Sequence, residues 1–223
     1  MHDSAVDALL ARGETRPRAD ARRNVERLVT ATRQAINEQG LAITTRDIAQ
    51  RAGVGLGTLY RRIPSLDALL AAILTDTIDE MTDQARHALD DPNAWQGFVK
   101  FAETYVQLRA SSCGLHEALS GHGGRLDLEL RITRLQQAVH QLVQRAQRTH
   151  VIRDDLDWRD IPFVLATAIP ADHTIGLEPR SDQWRRNLRI ILDGLRPATE
   201  SSRPPVVAGG LHQKSVSAER SGR

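Results

Sequence analysis

The stretch Thr44 to Ser65, TTRDIAQRAGVGLGTLYRRIPS, holds the residues whose types and spacing most clearly point to a chemistry. Its second half leaves Gly57, Thr58, Tyr60, Arg61 and Arg62 on or near the outer surface of a short helical pattern, with Leu59 pointing inward. Hydroxyls, guanidinium groups and glycines on one open face suit a phosphate backbone, since polar donors bind it and glycines permit close approach. A second group is Cys113, His116 and Glu117, with the types of a nucleophile, a base and an orienting acid. No oxyanion-hole loop or local signature accompanies them, and a lone cysteine beside a glycine-rich bend is far more often a packing residue. No enzyme is expected. The histidines His116, His122, His140, His150 and His173 show no HxxxH spacing and no CxxC partner, so no metal and no cofactor are expected.

The elements that must position the first group follow from local signals. Thr44 is placed to N-cap a helix, with Asp47 three residues later in a short-armed capping box. Ile48, Ala49 and Ala52 form its inner face, and Gly53 supplies the positive φ of a helix end. A second helix runs from about Gly55 to Arg62, and Pro64 and Ser65 stop it and open the next. Before this pair, residues 19–39 carry Val25, Leu28, Val29, Thr32, Ala35 and Ile36 at three and four spacing, and Gly40 is a natural stop. A long helix across two short ones, the second polar and basic, is the layout that sets a recognition helix in a DNA major groove.

The segment IAQRAGVGLGTLYRRIPSLDALL resembles the helix-turn-helix signature of the TetR/AcrR family of bacterial transcriptional regulators. Ile48, Ala49, Ala52, Gly53, Val54, Gly57, Thr58, Leu59, Tyr60, Ser65 and Leu69 match that pattern. Three positions depart from it. Gly55 stands for the usual Ser or Thr cap, Ile63 for the usual Phe, and Leu66 for a Lys that in the family reaches a phosphate. The resemblance implies a ligand-responsive regulator, most often a repressor, acting as a homodimer on a palindromic operator in double-stranded DNA. It implies phosphate contacts from Thr44, Thr45, Tyr60 and Arg61, with Arg22, Arg46 and Gly55 at the same surface. Gly57, Thr58 and Arg62 are the candidates for close approach or base contact, and Arg62 is the one suited to a guanine edge.

Composition sets the bounds of this reading. The chain has 223 residues, 26% charged and 40% hydrophobic, with aromatics at only 4%. Scarce aromatics and abundant Ala, Leu, Arg and Gln predict an all-α protein of about nine helices. No apolar run reaches a membrane span of about 20 residues, and the start lacks a basic region followed by an apolar one, so no membrane and a cytoplasmic location are expected. A single cysteine, Cys113, fits a reducing compartment. Residues 1–64 carry 11 Arg against 7 Asp and Glu, whereas residues 65–196 carry 15 Lys and Arg against 19 acids. A basic head on an acidic body fits DNA binding by the head.

The chain divides on this reading into a flexible leader (1–18), a three-helix head with the helix-turn-helix (19–64), a helical ligand-binding and dimerisation domain (65–196) and a disordered tail (197–223). Helices are expected from Ser65 to about Leu89, from Asn93 to about Ala110 after an Asp91 cap and Pro92, from Leu126 to about His150, from Trp158 to about Ile169, and from Gln183 to Leu195. A short helical piece falls between Ser111 and Gly124. Trp95, Phe98, Phe101 and Tyr105 read first as core, and the family resemblance makes them, with His116 and His140, the candidate walls of an effector pocket between long helices. The last two helices hold more apolar residues than one domain edge needs, so Phe163, Trp184, Leu188, Ile191 and Leu195 are the candidate dimer surface. A helical binding protein with weakened DNA contact, given Gly55 and Leu66, and a helical enzyme using Cys113 and His116, are the alternative readings.

Overall fold

The computed structural model describes residues 4–11, 19–119, 126–170 and 173–197. Among them are ten helices: α1 (Ser4–Ala11), α2 (Ala19–Gln39), α3 (Thr45–Ala52), α4 (Leu56–Arg62), α5 (Leu66–Asp90), α6 (Ala94–Ala110), α7 (Cys113–Glu117), α8 (Glu129–Arg148), α9 (Asp160–Ala166) and α10 (Gln183–Leu195). The fold is all-α, as composition and periodicity indicate.

The tenth helix is the departure. Residues 4–11 were expected within a flexible leader, yet they fold as α1 against α5 and α2. Ala5, Val6 and Leu9 are buried, the Ala5 amide donates to Asp76 Oδ2 at 3.0 Å, and Asp7 pairs with Arg22 at 3.2 Å. An eight-residue helix is unstable by itself, so tertiary contact makes it, and local pattern does not report such contact. The rest of the leader, residues 1–3 and 12–18, and the tail beyond residue 197 lie outside the described residues.

The head follows its local signals closely. Thr44 accepts from the Asp47 amide at 3.2 Å while the Asp47 carboxylate accepts from the Thr44 amide at 3.1 Å, a reciprocal capping box. Gly53 ends α3 at φ 61°, and its amide is bonded back into the last turn. Ile48, Ala49, Ala52, Leu59 and Ile63 join Val25, Leu28, Val29 and Ile36 of α2 in one core. Ile63 is 1% exposed, so it fills the place of the family Phe.

Ser65 caps α5 by accepting from the Ala68 amide at 3.1 Å. This 25-residue helix is the spine of the molecule, with α6 and α8 packed along its far part and α1 and α2 against its near part. The next cap differs from expectation. Asn93, and not Asp91, caps α6 through the Gln96 amide at 3.0 Å, and Pro92 stays outside the helix. Asp91 instead accepts from Lys100 at 2.8 Å and from the Asn93 amide at 2.9 Å, which together hold its carboxyl below the usual range. α8 and α9 are each shorter than the apolar pattern, and α10 has the expected limits.

Candidate nucleic-acid interface and effector region

α3 and α4 present one continuous outer surface. Thr45 Oγ1 and the Tyr60 hydroxyl lie 3.1 Å apart, so the start of α3 is tied to the exposed face of α4. Tyr60 is 61% exposed although it is large and partly apolar. Arg46 and Arg61 are exposed, and Thr58 is half-buried at the edge of the same face. Arg62 belongs to α4, but its side chain lies outside the described residues. The Thr44 hydroxyl donates to Asp47 at 2.6 Å, which depresses the Asp47 pKa; the Thr44 backbone bond adds to the shift.

Two glycines on this surface, the Gly55 cap of α4 and Gly57 within it, are not glycine for want of room. A Cβ added to Gly55 or Gly57 would meet nothing within 4 Å, and neither has a positive φ. Glycine inside a helix costs about 1 kcal/mol relative to alanine, so Gly57 weakens α4 without relieving any crowding within the molecule. Open space over a glycine, beside an exposed tyrosine and two arginines, fits a partner backbone approaching from outside.

Arg22 is set apart from this cluster. Its guanidinium pairs with Asp7 at 3.2 Å and Glu26 at 3.0 Å, so carboxylates already engage it. Arg27, which the pattern of motifs overlooks, donates to the Gly53 carbonyl at 3.2 Å and braces the turn from α2. Its place four residues after Arg23 on the outer stripe of α2 is the signal that could have found it.

The candidate effector residues do not converge on one cavity. Phe98, Phe101 and Tyr105 are buried in the main core, with Trp95 stacked on Phe98 at 6.2 Å and Arg196 lying over the Trp95 ring at 4.1 Å. His140 stacks on Trp158 at 5.0 Å. His116 is exposed on α7, and its Nδ1 faces Arg109 Nη2 at 2.9 Å. That nitrogen is therefore turned to a cation and not to the exposed thiol of Cys113. A cleft of about 910 Å³ lies elsewhere, between α2, α5 and the end of α6, and its walls include Arg33, Asn37, Asp76, Asp79, Glu80 and Ser112. His122 lies outside the described residues.

The candidate dimer residues also separate. Leu188 and Leu195 are buried within the protomer at 2% and 4% exposure, and Trp184 and Ile191 pack partly against the same core. These four repeat at four and three spacing, so they are the inward stripe of α10. The outward apolar residues are Phe163 at 77% and Ile190 at 72% exposure.

With this geometry in place, known proteins decide the family. Residues 28–73 match the profile described as bacterial regulatory proteins, tetR family, and residues 91–197 match a transcriptional regulator SbtR-like C-terminal domain. A solved TetR transcription regulatory protein from Mycobacterium vanbaalenii is 31% identical, covering 80% of this chain and 98% of its own, with a TM-score of 0.53. The chain belongs to the TetR family of transcriptional regulators. It is similar to the HTH-type transcriptional regulator SAR0097 of Staphylococcus aureus, at 26% identity over 67% of this chain and 81% of that protein. It is also similar to the class D tetracycline repressor protein of Escherichia coli, at 32% identity over 81 residues, 36% of each chain. This TetR-family chain is a DNA-binding regulator, in a family whose members dimerise and respond to small molecules. No described helix is long and apolar enough to cross a membrane.

Proposed function

We propose that this TetR-family regulator represses transcription from a palindromic operator as a homodimer, and that a small, largely apolar effector releases it. The open face of α4 over Gly57, beside exposed Tyr60, is the observation that carries the reading. Thr44, Thr45, Tyr60 and Arg61 bind phosphates, with Arg46 and Gly55 at the margin; Gly57 admits the DNA backbone, and Thr58 and Arg62 are the residues for base contact. Arg22 contributes only where phosphate competes with Asp7 and Glu26. Phe163 and Ile190 supply the exposed apolar part of the dimer surface, with Trp184 and Ile191 at its edge.

The α4–α5 junction supports a mechanical link. Only Ile63, Pro64 and the Ser65 cap separate α4 from α5, so movement of α5 carries the head with it. An effector acts by binding the two head positions unequally. Footprinting of DNA flanking the gene tests the reading: two protected half-sites related by a two-fold axis, on one face of the duplex, are expected. Protection of a single unsymmetrical site, or none, counts against it.

A further inference from the structure

Arg109 is provided for differently from the other half-buried arginines. Arg33 and Arg131 reach Asp76 and Asp79 at 3.0 and 2.6 Å, and Arg145, whose hydrogen-bond partners are also neutral, spends its donors on the carbonyls of Ala88 and Asp91 and leaves no buried nitrogen unmet. Arg109 has only neutral partners. Its Nη1 donates to the Tyr105 hydroxyl at 3.3 Å, its Nη2 meets His116 Nδ1 at 2.9 Å, and the guanidinium carbon lies 5.7 Å from the Tyr105 ring centre. Arg109 Nε is buried with no acceptor, and no carboxylate among the described residues pairs with this side chain. Because arginine stays protonated, His116 accepts at Nδ1 and carries its own proton on Nε2. Burial pushes the Tyr105 phenol up, opposed by Arg109, so the hydroxyl stays neutral and remains a donor. The cluster therefore holds one full positive charge and two further donor groups, and among the described residues no carboxylate pairs with it.

A half-buried cation left with an unpaired N–H is costly, and an anion bound there would remove the cost with a charge-assisted bond. We propose that Arg109, with Tyr105 and His116, receives the anionic group, a carboxylate or a phosphate, of the effector that controls this regulator. The proposal rests on effector control of DNA binding, and it gives that control a route. His116 adjoins Glu117, whose carboxylate accepts from the Leu41 amide at 2.8 Å and lies against Gly40, just past the end of head helix α2. An anion that draws Arg109 away from His116 disturbs α7, and α7 is seated on α2.

The test follows the Arg109 side-chain Nε–Hε resonance in the full chain, assigned by its loss in Arg109→Met. The probes are octanoate and octyl phosphate, with 1-octanol as the uncharged control. A saturating shift with either anion below about 10 mM, and none with octanol, is expected. Arg109→Met should match or exceed the thermal midpoint of the wild type, because the uncompensated charge is gone, and Arg109→Lys should retain weakened anion binding. No shift with either anion, an equal shift with octanol, or a midpoint several degrees lower in Arg109→Met would overturn the proposal, the last because it marks a structural arginine. Release of promoter DNA by a neutral compound from wild type and Arg109→Met alike would also overturn it, while leaving effector control intact. Anion binding at Arg109, with DNA release by no compound at all, would uphold the anion site and remove effector control.

Discussion

Gly57 carries a helix cost that no contact inside the molecule offsets. The residue weakens α4 and relieves no contact inside the molecule, so replacing it separates stability from binding. Gly57→Ala should stabilise the head by about 0.5–1 kcal/mol and weaken operator binding by tenfold or more. Urea denaturation and DNA titration read the two effects, and a gain in stability with unchanged DNA affinity would sink the close-approach role. Asp47 supplies a second residue-level prediction. Hydrogen bonds from Thr44, the hydroxyl first and the backbone amide second, hold its folded pKa below the ordinary carboxylate value. Its contribution is therefore complete above that value and is lost as pH falls through the lowered folded value. Asp47→Asn should reduce stability at neutral pH and flatten the acid limb of the stability curve. An unaltered acid limb would show that the capping box does not carry this titration.

Among elements, α7 is the short strut between body and head. Glu117 meets the Leu41 amide, and Gly114 lies against Ile36 of α2. Glu117→Ala removes a half-exposed hydrogen bond to a carboxylate, worth about 1.5 kcal/mol. The variant should keep its DNA affinity and lose effector response, as read by DNA release; full response would place the link elsewhere, along α5. Local signals foretold the head because its devices are local: the Thr44–Asp47 box, the left-handed Gly53 and the Ser65 cap each act within a few residues. They could not foretell α1, whose three buried residues depend on α5 and α2. In α10, periodicity found the stripe of Trp184, Leu188, Ile191 and Leu195 but not the side on which the protomer lies. Leu188 and Leu195 turned out to be its own core, and Ile190 the exposed side. Arg109 went unnoticed because a missing partner is visible only when every neighbour has a position.

At the scale of the whole molecule, charge and apolar surface are assigned to opposite tasks. Residues 1–64 carry an excess of four basic side chains and residues 65–196 an excess of four acidic ones, a split that fits DNA binding at the head. Phe163 and Ile190 are the large apolar residues left uncovered on α9 and α10. Phe163→Glu with Ile190→Arg should convert a dimer to a monomer in light scattering and lower affinity for a two-half-site DNA far more than for a single half-site. A dimer that survives both changes would move the interface to another face.

Sequence-specific DNA binding by the α3–α4 head is read by fluorescence anisotropy. The purified chain would be titrated with its own promoter-region DNA and with scrambled DNA, at about 50 and 200 mM salt. Tighter binding to the promoter DNA at both salts, with affinity falling steeply between them for both DNAs, is the predicted result. Equal and weak binding to both DNAs, unchanged when Lys is restored by Leu66→Lys, would contradict it.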